Sequence, residues 1–191
     1  MSDAAVRRMT LDEFLRWDDG SDTRYELIGG FPMAMAPPAA NHSVLAARLA
    51  GRLESALAAR RPCRVGVEAG VLDPDRADNF FVADVAVTCA PYSRDQYLPA
   101  PVLLIEILSP STERHDRTVK IPAYQQIASV QEILLVDSGA RYAALHRRQG
   151  EQWVIQISRG EAGMISVASV GIEIPMAELY EGLVYEDDAD T

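Results

Sequence analysis

The sequence predicts an α/β domain with a mixed central sheet flanked by helices, and three observations carry that expectation. Two short runs, residues 80–87 and 102–108, are dense in Val, Ile, Leu and Phe. Pro91, Pro99 and Pro101 lie between them and Ser109–Pro110 follows, as expected for buried strands of a sheet covered on both faces. Leu45, Leu49, Leu53 and Leu57 recur every four residues with alanines alongside, the stripe of a core-facing helix. Residues 141–147, 152–158 and 164–170 are separated by Gly-containing turns and predict an additional antiparallel meander.

The remaining elements follow in order. Thr10 and Glu13 form a capping box that opens a short helix, closed by Asp18-Asp19-Gly20. Residues 24–28 and 31–36 read as a hairpin turned by Gly29–Gly30. Asn41 is the expected cap of the leucine-striped helix, which runs to about Arg60. Residues 64–72 alternate, with Val65, Val67, Ala69 and Val71 on one face and Glu68 on the other. Pro122 cannot sit deep in a helix, so the helix carrying Lys120 must begin near that lysine or kink there. Residues 131–136 form another buried strand, and Pro175 opens a last short helix.

A chain of 191 residues, 48% of them hydrophobic, suits a single core. No stretch is long and apolar enough for a membrane span, and the first residues lack the apolar region of a signal peptide. Cys63 and Cys89 match no zinc or redox spacing. They read as reduced thiols, and a cytoplasmic protein follows. The net charge of −10 opposes polyanion binding, although Glu181, Glu186, Asp187, Asp188 and Asp190 concentrate part of it at the C-terminus. Residues 183–191 therefore read as an acidic tail on a domain of residues 1–182. Arginines 48, 52, 60, 61 and 64 form either a local positive surface or, more simply, a solubilising helix face.

Function concentrates between residues 80 and 120. Each of the two apolar strands carries one carboxylate, Asp84 and Glu106. A carboxylate in a buried strand needs a partner, a cation or an exit to solvent. Two of them on neighbouring strands repel, and a hard divalent cation removes that repulsion; Mg²⁺ is typically held by one or two carboxylates plus waters and phosphates. Lys120 is the only lysine in the chain, the other 17 of its 18 basic residues being arginine. A position that keeps Lys points to a need for a compact ammonium with a tunable pKa.

These residues resemble the PD-(D/E)XK motif of the restriction-endonuclease-like superfamily and, more closely, the Uma-two family of uncharacterised bacterial endonuclease-like proteins. The matching stretches are TLDEFLRW, RYELIGGFPMAMAPP, NHSVLAARL, VADVAV, LLIEILSPSTERHDRTVKIPAY and EILLVD. The resemblance implies a restriction-endonuclease-like fold over residues 1–182 and a metal, Mg²⁺ or Mn²⁺, on Asp84 and Glu106. It implies hydrolysis of phosphodiester bonds in nucleic acid, DNA in the first instance, with Lys120 as the third catalytic residue. Glu26 and His42 enter as auxiliary catalytic residues, each also readable as an ordinary structural group. Glu68 joins only if its face is the site face, and His115 with Asp116 is expected in an exposed turn. The chain departs from the motif at two positions: Ala83 precedes Asp84 where the motif has proline, and Leu108 stands where the motif has lysine. The rival expectation is a catalytically inactive binding or regulatory module on the same fold. A homodimer suits either, with the meander as its interface.

Overall fold

The computed structural model describes residues 7–73 and 76–185. Pro74 and Asp75 lie outside the described residues, as do residues 186–191 of the expected tail.

The elements are α1 (Leu11–Phe14), β1 (Tyr25–Ile28), β2 (Phe31–Ala34), α2 (Ala40–Leu57), β3 (Arg64–Leu72), β4 (Phe80–Thr88) and β5 (Pro101–Leu108). After these come α3 (Glu113–His115), a π-helical turn (Asp116–Lys120), α4 (Ile121–Gln126), β6 (Glu132–Asp137), β7 (Tyr142–Gln149) and β8 (Gln152–Arg159). The last are β9 (Met164–Val167), β10 (Ile172–Pro175) and α5 (Met176–Leu179). The central sheet has eight strands in the order β2-β1-β4-β5-β6-β7-β8, with β3 on β4. Only β5 and β6 pair in parallel. The sheet is thus mixed and mainly antiparallel, with helices against it.

Two cores form on its two sides. The α2 stripe, Leu45, Leu49, Leu53 and Leu57, packs with Val85, Val87, Leu103, Ile105 and Ile107. Ile121 and Tyr124 of α4 pack with Phe81, Ala83, Ala86, Leu104 and Leu108. Val85 and Phe81 have the same parity yet lie in different cores, so strict alternation along β4 fails at Asp84. Its partner β3 fails at the same level: Val65 packs in the first core and Ala69 and Val71 in the second. Between them Glu68 has a left-handed backbone (φ 51°) and Val67 is 53% exposed, against the expected single face.

The expected meander is redistributed. β7 and β8 extend the central sheet as a hairpin. β9 pairs with β10 in a separate two-stranded sheet rather than with β8. Buried Glu132 ties that sheet down, accepting from Arg147 Nε (2.7 Å) and from the amides of Ala168 (3.2 Å) and Ser169 (2.7 Å). Arg48 and Arg52 of α2, and Arg60 just after it, work in the same region and are not a free positive surface. Arg48 donates to the Leu179 carbonyl (2.8 Å), Arg60 to the Val170 carbonyl (2.6 Å), and Arg52 pairs with Glu178. Packing continues past the expected boundary at 182: Leu183 is buried, and Asn41 Nδ2 donates to the Val184 carbonyl (3.0 Å). Asn41 therefore does not cap α2, whose N-cap position is Ala39. The Thr10–Glu13 capping box forms as expected.

The two cysteines also differ from expectation. The β3–β4 register pairs Arg64 with Thr88, which sets Cys63 opposite Cys89, and the two form a disulfide. Register is what their spacing in the sequence does not reveal, and the thiol argument for a cytoplasmic location falls with it. No helix among the described residues is long and apolar enough to cross a membrane.

Leu53 is fully buried at the centre of the α2 stripe. Leu53→Ala is expected to cost about 2–5 kcal/mol, read as a lower urea midpoint at unchanged slope.

Candidate active site at the fork of the sheet

One edge of β4 is shared between two strands. At its start Phe80 pairs with Leu27 of β1, and further along Val85 pairs with Ile105 of β5. Between these points, residues 81–84, neither ladder continues. The backbone groups left over must find other partners, because burial without them is costly. Three side chains take them. Glu26 Oε1 accepts from the Val82 amide (2.8 Å). Lys120 Nζ donates to the Val82 carbonyl (2.9 Å). Across the fork, Asp84 Oδ2 accepts from the Ile107 amide (2.6 Å). Continuing the β4–β5 register by one residue sets Asp84 opposite Glu106.

Lys120 reaches this point from the helix that follows β5. Pro122 has no amide hydrogen and would clash with the carbonyl four residues before it in a regular α-helix. The chain absorbs this with the π-helical turn over Asp116–Lys120, in which the Ile121 amide bonds the Asp116 carbonyl. The expected choice between a helix start and a kink resolves as a widened turn in a continuous helical path. It aims Asp116, Lys120 and Tyr124 at one place.

Lys120 Nζ lies 2.9 Å from Glu26 Oε1, 3.2 Å from Glu106 Oε2 and 3.6 Å from Asp116 Oδ1. All four side chains are buried. Tyr124 Oη donates to Glu106 Oε1 (2.6 Å), so both oxygens of Glu106 carry a donor. His115 Nε2 stands 3.5 Å from Glu26 Oε2, an ion-pair distance. On the outer side, His42 Nε2 from the first turn of α2 is 3.2 Å from Asp84 Oδ2, and this pair is more exposed than Lys120 and the three carboxylates around it.

The electrostatics follow from burial against one cation. Desolvation pushes the Glu106 carboxyl well above the usual carboxylate range, opposed by Lys120 and reinforced by Asp84 and Asp116. Burial raises Asp116 too. Burial works against Lys120, but Glu106, Glu26 and Asp116 outweigh it and hold the ammonium above its ordinary value. Burial would raise Glu26, yet His115, Lys120 and the Val82 amide bring it below its ordinary value. Burial lowers His42, and Asp84 overcomes that to raise it.

The structure brings all five expected site residues, Asp84, Glu106, Lys120, Glu26 and His42, into one cluster. Glu68 is not among their bonded partners; it pairs with Arg24. Asp116 is buried in the cluster, not in an exposed turn, and Tyr124 serves the site as well as the core. The four-residue spacing of Asp116, Lys120 and Tyr124 was the available signal: it places all three on one helix face.

A metal needs oxygen ligands with spare capacity. Among the described residues no three His, Cys, Asp or Glu side chains are grouped to hold one. A site of two carboxylates meets the Mg²⁺ habit of taking its other ligands from water and phosphate. Each oxygen of Glu106 keeps a second acceptor position beside its present bond, whereas Asp84 Oδ2 already meets the Ile107 amide and His42, which makes Oδ1 the ligand atom of that carboxylate. The donor set on Asp84 and Glu106 therefore fits a hard divalent ion.

Glu106 costs stability where it ionises. Its folded-state value is raised, so its contribution is favourable below the unfolded-state value and is lost as pH rises through the folded one. Glu106→Gln removes that loss and lessens repulsion with Asp84 and Asp116. The variant is expected to be more stable than wild type near pH 8. That margin shrinks toward zero near pH 4, as measured by urea unfolding at both pH values.

Comparison with known proteins gives the family. The chain is 29% identical to the uncharacterized protein slr1290 of Synechocystis sp., covering 95% of this chain and 96% of that one. It is 26% identical to the uncharacterized protein sll1609 of the same organism, covering 88% and 98%. Its fold matches a crystal structure from Anabaena variabilis, titled "a putative nuclease belonging to DUF820", with a TM-score of 0.76 at 21% identity over 92% of this chain and 99% of that one. The model of the Uma2 family, described as "Putative restriction endonuclease", matches residues 11–177, and the chain belongs to that family.

Proposed function

We propose that the protein is a metal-dependent nuclease that hydrolyses phosphodiester bonds in nucleic acid, with DNA as the first substrate to test. The observation that carries this reading is the fork in the sheet, where Asp84 and Glu106 converge with the chain's only lysine among the site carboxylates. Family membership points to the same substrate class. Asp84 and Glu106 would hold Mg²⁺ or Mn²⁺, which supplies a water of lowered pKa and charge stabilisation at phosphate.

The chain's own residues divide the remaining work. Lys120 keeps a fixed positive charge beside Glu106 and favours its ionised form. Such a preorganised cation stabilises charge developing on a phosphate oxygen. Glu26 orients that ammonium while holding the Val82 amide. His42, raised by Asp84 on the outer side, is placed to accept or release a proton there. A homodimer carrying two such sites belongs to the same proposal.

A second reading has its own support. The net charge of −10 and the two donors already on Glu106 favour a binding module that keeps the fold without cleaving. The two readings separate in an assay of supercoiled plasmid, single-stranded DNA and RNA with Mg²⁺ and with Mn²⁺. The nuclease reading expects nicking or cleavage of at least one substrate. Asp84→Asn and Lys120→Met are expected to lower it by 10²-fold or more, and His42→Ala by about 10- to 100-fold. Cleavage that survives Asp84→Asn would place the activity elsewhere. Binding to folded wild type without cleavage would favour the module.

A further inference from the structure

β8 is the last strand of the central sheet, and its outer edge has no strand beyond it among the described residues. Such an edge presents unpaired backbone groups, and chains normally blunt it with proline, internal charge or brevity. The opposite end of the sheet does so: β2 has four residues and Pro32 among them. β8 does not. It has eight residues, QWVIQISR, with no proline and a single charge, Arg159, at its end. Val154, Ile155 and Ile157 are 44%, 54% and 52% exposed.

The direction of the free groups is fixed by the hairpin. The Gly160 amide bonds the Arg141 carbonyl, so even-numbered residues of β8 turn their backbone groups toward β7. Those of Trp153, Ile155, Ile157 and Arg159 therefore point outward. The side chains of these residues share one face.

We propose that β8 pairs antiparallel with β8 of a second copy of this chain about a twofold axis at Ile155, joining two sheets into one. In this register Ile155 meets the partner's Ile155, and Trp153 meets the partner's Ile157, as apolar cross-strand pairs. Glu151, just before the strand, meets the partner's Arg159, and the symmetry makes that ion pair twice. Each outward-facing residue of the strand then has a partner, apolar against apolar and Arg159 against the partner's Glu151. The strand is thus complementary to itself in shape, backbone bonding and charge, which is the requirement for a twofold interface. This inference is independent of the proposed chemistry, because it is read by mass and not by cleavage.

The test is the mass of the full-length chain in solution, by sedimentation and by light scattering, across micromolar concentrations. Wild type is expected to be a dimer. Ile155→Glu sets two carboxylates together on the axis and is expected to give the monomer. Arg159→Glu puts a second carboxylate opposite the partner's Glu151 and is expected to raise the dimer Kd on the order of tenfold. Glu151→Arg combined with Arg159→Glu is expected to restore it. These positions are exposed, and circular dichroism and thermal unfolding of each variant check that the fold is intact. A monomeric wild type would overturn the proposal, as would a dimer indifferent to Ile155→Glu. A dimer weakened by Arg159→Glu but not restored by the charge swap would overturn the register.

Discussion

The site depends on one interruption: the stretch of β4 between its pairing with β1 and its pairing with β5. A buried strand cannot leave its amides and carbonyls unpaired without cost. Here side chains replace the missing strand, with Glu26 and Lys120 on Val82 and Asp84 on Ile107. The groups that repair the backbone are the groups that carry charge into the core. Fold and site are therefore not separable at this point; removing a charged residue also removes a backbone partner.

The charge balance is correspondingly tight. One ammonium faces Glu26, Glu106 and Asp116, all buried. Desolvation and mutual repulsion keep Glu106 and Asp116 reluctant to ionise. This is the kind of local cost that functional sites retain and the rest of a fold offsets. The arginines do little to change that balance. Arg48, Arg60, Arg64 and Arg148 donate to backbone carbonyls. Arg147 serves Glu132 and the Ser166 carbonyl. With these five arginines engaged elsewhere, the proposed nuclease would draw added positive charge at a phosphate from a bound divalent ion.

Much of this was readable in the sequence, for definable reasons. Burial of the 80–88 and 101–108 strands followed from composition, and the α2 core stripe from a four-residue leucine repeat. Asp84 and Glu106 stood out because charge is rare in such strands, and Lys120 because it is the chain's only lysine. What escaped were features set by register and by local departures from regular structure. Cys63 and Cys89 meet only because β3 and β4 align as they do. Alternation misassigned the faces along β3, because that strand changes sides at Glu68 as β4 does at Asp84. Asp116 looked like a turn residue because Pro122 argued against a helix, and a π turn is what reconciles the proline with a helical path. The third strand of the meander had the right character, but its partner was β10, which alternation cannot specify.

In the proposed nuclease, Asp84 and Glu106, opposite each other across the fork, would form one cation site. Isothermal calorimetry of Mg²⁺ and Mn²⁺ binding to wild type and to the Asp84→Ala, Glu106→Ala double variant tests it most directly. Wild type is expected to bind, more tightly with substrate-like DNA present, and a double variant that remains folded is expected not to. Folded wild type that takes up neither ion at millimolar concentration with DNA present, or a double variant that binds as well as wild type, would contradict it.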